Sequence, residues 1–126
     1  MRSAPNSGHS ELLAELVGEQ IRAAKSSLTC FAVAVGETGG LLVEAAGDSQ
    51  APRVSITLCQ AQALPQLSEA VCTVDWSWIV GSTIRAVWLT SSQIHLDLDP
   101  VGPLDVSALV WNRAPFLAFR PFQNPL

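Results

Sequence analysis

With 126 residues, 48% of them hydrophobic and only 14% charged, the chain has room for one domain with one core and little charge to spread over it. A net charge of −4, with Lys25 the single lysine and the arginines dispersed, excludes a nucleic-acid-binding basic face. The apolar runs are strand-sized, short of the roughly 20 residues a membrane-spanning helix needs, and the polar stretch 1–10 lacks the apolar segment of a secretory signal. A cytoplasmic location is therefore expected.

In chain order, residues 1–9 read as a flexible leader and 10–112 as a single α+β domain. Ser10 can cap a helix over 11–25, with Glu11 at its positive end and Lys25 near its negative end. Leu13, Leu16, Val17, Ile21 and Ala24 recur at steps of three and four, which gives that helix one apolar stripe. Residues 28–35 and 41–46 read as two strands of a hairpin. Gly36, Gly39 and Gly40 lie in its loop; with no lysine after it, the loop is a turn and not a phosphate cradle. Residues 53–59 read as a third strand, and 60–70 are ambiguous between loop and short helix. Strands are expected over 71–80, 83–90, 94–98 and 106–111, and no internal repeat stands out. The fold expected is one N-terminal amphipathic helix packed on a predominantly antiparallel sheet of five or more strands.

Taking Gly81-Ser82 and Ser91-Ser92 as tight turns sets a register for the three-stranded run. Trp88 then faces His95, and Val87 faces Leu96. Alternation places Trp76, Trp78, Arg85, Val87, Leu89, Ile94, Leu96 and Leu98 on a core face, with Arg85 lying across Trp78. The opposite face collects Asp75, Ile79, Ile84, Trp88, His95, Asp97 and Asp99, with Asp75 in the row of Trp88 and His95. Here alone do carboxylates, an imidazole and a large aromatic side chain converge. A solvated strand, a partner surface, and a metal or acid–base site are the three readings of it, in that order.

The tail 113–126 carries Phe116, Phe119 and Phe122 between prolines. An extended strip with its rings on one side is expected, docked on its own sheet or on another chain. Cys30, Cys59 and Cys72 stand apart without CxxC spacing, so they read as buried thiols, neither a disulfide framework nor a zinc site. The helix-then-hairpin stretch FAVAVGETGGLLVEAAGD, within residues 10–48, superficially resembles the start of small roadblock-type scaffold domains. Those domains place a long helix after the hairpin, whereas 53–59 here reads as strand, and no function is carried over from them.

No nucleophile has a histidine beside it, no Gly-x-Ser-x-Gly elbow occurs, and His95 would have to carry any histidine chemistry alone. The expected function is therefore a non-catalytic binding or assembly module, oligomeric or part of a complex. Its binding residues are expected among Phe116, Phe119, Phe122, Trp88, His95 and Asp97. No catalytic residue, metal ligand or cofactor is assigned. The alternatives are a small-molecule binder and a small enzyme or metal protein using His95, Asp97 and Asp75.

Overall fold

The computed structural model describes residues 13–65 and 75–121. Among the described residues, eight strands form two antiparallel four-stranded meanders. The first holds β1 (Ile21–Ser26), β2 (Cys30–Val35), β3 (Gly39–Gly47) and β4 (Pro52–Gln60). The second holds β5 (Thr83–Leu89), β6 (Gln93–Asp99), β7 (Gly102–Trp111) and β8 (Ala114–Arg120), again in sequence order. The sheets pack face to face, β3 approaching β8 and β4 approaching β7. Alternate residues of each strand point into the shared core, as a period of two requires. Phe31, Val33, Val35, Leu41 and Val43 enter from the first sheet, and Ile94, Leu96, Leu98, Leu104, Val106 and Leu117 from the second.

The two halves are one unit written twice, 63 residues apart. Ile21 pairs with Val35 before a register shift to Ala23–Ala34, and Ile84 pairs with Leu98 before the same shift to Ala86–Asp97. The β2–β3 register repeats in β6–β7 (Phe31–Val43, Ile94–Val106), and that of β3–β4 repeats in β7–β8 (Leu42–Thr57, Asp105–Arg120). Core residues correspond in pairs: Leu13 with Trp76, Leu16 with Ile79, Ile21 with Ile84, Val33 with Leu96, Leu41 with Leu104, Val43 with Val106. The sequence carries the same repeat as Val-Gly-x-x-Ile-Arg-Ala at 17–23 and 80–86, and as Gly-x-Leu-x-Val-x-Ala at 39–45 and 102–108.

Reciprocal backbone hydrogen bonds join the halves. Gly18 N–H donates to Ile84 O (2.7 Å), and Gly81 N–H to Ile21 O (2.7 Å). Ile21 N–H donates to Ser82 O (2.8 Å), and Ile84 N–H to Glu19 O (2.9 Å). Farther out, Val54 N–H of β4 donates to Ser91 O and Leu117 N–H of β8 to Leu28 O, so each outer strand is tied to the first hairpin turn of the other half. Such reciprocity is the mark of an approximate two-fold axis. Gly18 and Gly81, with φ of +92° and +93°, turn the chain from a buried turn into the first strand of each half.

Several expectations fail here. The helix over 11–25 does not form: among the described residues only a short helical turn at Leu13 precedes Gly18, and Ile21–Ser26 is strand. The apolar steps of three and four were half real, since Leu13 and Leu16 are buried in that turn, but Val17 is exposed and the positive φ of Gly18 ends helical continuation. Instead of a helix on one sheet of five or more strands, two sheets cover each other. The roadblock-like opening lapses with the helix. In place of the strand over 71–80, residues 76–81 are a turn matching 13–18, while 66–74, including Cys72, lie outside the described residues. The missing strand removes Asp75 from the row of Trp88 and His95. The bulge between Ile84 and Ala86 carries Ile84 into the core, where Ile79 is also buried, against the polar face expected for both. Arg85 is exposed, and Trp78 stacks on Trp76, centroids 6.2 Å apart. An internal repeat is present where none was expected.

Candidate outer face of the second sheet

Because both halves use one scaffold, each outer face is a control for the other. Positions that build the scaffold agree between halves, and positions that only decorate it are free to differ. On the first sheet the outward residues of β1, β2 and the start of β3 are small: Ala23, Ala32, Ala34 and Gly40. Ala32 is almost fully buried, and the segment after β4, a 3-10 turn at Ala61–Ala63 followed by Leu64, folds over this floor. Leu64 lies so close to Gly40 that an added Cβ would meet its Cγ at 3.0 Å. That face is capped by its own chain.

The second sheet differs at these positions. Its outer row crosses all four strands: Trp88 pairs with His95, His95 with Asp105, and Asp105 with Arg120. The corresponding residues of the first sheet are Lys25, Ala32, Leu42 and Thr57. The His95 imidazole lies 4.7 Å from the Trp88 ring, centroid to centroid, tilted at 49°. Its Nδ1 contacts Asp105 Oδ1. With a proton on Nδ1 the ring donates to that carboxylate. Asp97 shares the face one row along, opposite Ala86, and Gln93 Nε2 donates to Ser107 Oγ (3.0 Å) on the other side. Asp75 sits elsewhere, in the turn before Trp76, where its carboxylate accepts from the Ser77 backbone (3.0 Å) and is thereby held below the usual carboxylate range.

The row grades into an apolar end. Leu109 pairs with Phe116 and Trp111 with Ala114 at the tip of the β7–β8 hairpin, whose turn residues Asn112 and Arg113 both take positive φ (54° and 67°). Leu109, Val110 and Trp111 are consecutive and exposed, Trp111 to 67%. The matching stretch of the first half is Ala46, Gly47 and Asp48, where Asp48 Oδ1 caps the turn through the N–H groups of Gln50 and Ala51. Comparison with protein-family models, curated proteins and solved structures gives no match.

The expected binding residues thus separate. Trp88, His95 and Asp97 share the outer face, and Phe116 lies on it with Leu109. Phe119 faces the opposite way, against Phe31 (5.3 Å) and Trp76 (4.8 Å), because three residues along a strand reverse the side. Phe122 lies outside the described residues. Sequence reading missed Asp105, which reaches His95 only once β6 and β7 pair; the spacing of ten residues across a Pro-Val-Gly-Pro turn was its signal. It also missed Leu109 and Trp111 as surface residues, having read 106–111 as an ordinary strand. Among the described residues no group of His, Cys, Asp and Glu has the arrangement of a metal site. The shallow groove of about 270 Å³ beside Gly39 collects Glu15, Glu19 and Glu37 without bringing them together as ligands.

Proposed function

We propose that this protein is a non-catalytic assembly module that associates through the tip of the β7–β8 hairpin, with a second copy of the chain as partner. One observation carries the reading. Three consecutive large apolar residues, Leu109, Val110 and Trp111, stand in solvent with Phe116 beside them, at positions where the scaffold's other half carries Ala46, Gly47 and Asp48. The scaffold does not need them, and exposed apolar clusters of this kind mark contact surfaces. Leu109, Trp111 and Phe116 carry no charge; Arg113, in the turn beyond Trp111, is the one ionised group of the tip and has to lie at the rim of such a contact. The scarcity of charge over the whole chain supports the same reading.

The test is the mass in solution of the intact chain and of a Leu109→Ser/Trp111→Ser variant, by light scattering over a range of concentrations. The reading expects an oligomer for the former and a folded monomer for the latter. A wild-type chain that stays monomeric at high concentration overturns it. Truncation after Asn112 is unsuitable, because it removes β8 with its core residue Leu117.

A further inference from the structure

The geometry points to a second site, separate from the hairpin tip: the row Trp88–His95–Asp105–Arg120, with Asp97 beside it, recognises a neutral saccharide. The row is dispensable to the fold, since the first sheet builds the same registers with Lys25, Ala32, Leu42 and Thr57 in those places. It is nonetheless ordered. His95 is fixed between the Trp88 ring and the Asp105 carboxylate, although these residues are only partly buried and the contact contributes little to stability.

The chemistry on offer narrows the ligand. Trp88 presents an indole that is 58% exposed, a platform for a flat apolar surface. Beside it on the same face stand the acceptors Asp97 and the second oxygen of Asp105, with the His95 ring between and Arg120 as donor at the far end. A ligand that fits needs one apolar face and a rim rich in hydroxyl donors, which describes a pyranose ring. Phosphate-bearing ligands meet Asp97 and Asp105 unfavourably, and the net charge of −4 repels them further. A purely apolar ligand needs enclosure, and among the described residues nothing encloses this face. With strands about 4.8 Å apart, the row from Trp88 to Arg120 spans about 14 Å, enough for more than one ring.

The test titrates the intact chain with neutral hexasaccharides of glucose, N-acetylglucosamine, mannose and xylose. Binding is read by tryptophan fluorescence and by saturation-transfer NMR on the sugar. At least one should bind saturably. Trp88→Ala should abolish or weaken that binding by about tenfold or more, the loss expected of a stacking ring, and Trp88→Phe should restore part of it. Asp97→Ala should weaken it, while Trp111→Ala, at the hairpin tip, should leave it unchanged. Circular dichroism confirms that the Trp88 variants are folded, as expected for so exposed a side chain. Binding by none of the sugars overturns the proposal. So does Trp88-dependent binding of a lysine- or arginine-rich peptide in their place, which would make the row a cation site. A chain that proves monomeric yet binds sugar overturns the assembly reading alone.

Discussion

At the residue scale, the decisive positions are the two glycines in the turns that open each half, and Asp75 beside the second of these turns. Gly18 and Gly81 have φ near +90°, and a Cβ added at either would meet nothing within 4 Å. Substitution there carries backbone strain without a clash. Gly18→Ala and Gly81→Ala are each expected to destabilise by about 1–2 kcal/mol, by similar amounts, in urea denaturation. A large difference between them would show that the two turns are not equivalent. Asp75 gives the pH-dependent counterpart. Hydrogen bonding from Ser77 lowers its pKa in the folded state, so the stability it contributes is present above the usual carboxylate pKa and is lost as pH falls through the lowered value. Carbon-detected NMR titration should place the Asp75 midpoint below the usual carboxylate range, and Asp75→Asn should make stability less sensitive to acid.

At the element scale, the turn at 76–81 delivers the largest core side chain. Trp76 is buried, donates its indole N–H to Ser26 Oγ (2.8 Å), and meets Phe31 and Phe119 at 4.8 Å each. It thereby ties the turn of the second half to β1 and β2 of the first and to β8. Trp76→Ala should cost about 3–5 kcal/mol. Ser26→Ala leaves a buried indole N–H without its acceptor and should cost about 1–3 kcal/mol. A double-mutant cycle measures the hydrogen bond. Additive costs would mean that the two side chains do not interact in solution.

At the scale of the whole molecule, neither half has a core of its own among the described residues. One cluster takes corresponding residues from both, and the reciprocal bonds of Gly18, Ile21, Gly81 and Ile84 cross between them. The halves should therefore unfold together. The distribution of residues makes this measurable, because Trp76, Trp78, Trp88 and Trp111 all lie in the second half while Cys30 and Cys59 lie in the first. Tryptophan fluorescence and thiol labelling at Cys30 and Cys59 are expected to report one coincident denaturation midpoint. Separate midpoints would show two independent units.

What the sequence determined by itself was local: the three strands between Cys30 and Gln60, the tight turn at Ser91-Ser92, and the register that sets Trp88 against His95 and Val87 against Leu96; the hairpin expected at Gly81-Ser82 does not form, because residues 77–81 are a turn whose Gly81 bonds to Ile21 instead. Period-two alternation and turn residues act within a few positions of the chain, so they can be read there. The Asp97 side of the face followed from the same alternation. What only the tertiary structure decided was which partner satisfied each segment. Leu13, Leu16, Val17 and Ile21 keep a helical spacing, yet the backbone of 18–21 finds its hydrogen bonds on 81–84, 63 residues away, and that pairing overrides the helix. The repeat was hidden for a related reason. Burial asks only for an apolar side chain of fitting volume, so Phe31 answers to Ile94 and Leu13 to Trp76. Identity survives mainly where the junction needs a particular backbone, at Val-Gly-x-x-Ile-Arg-Ala, and along the inward side of β3 and β7.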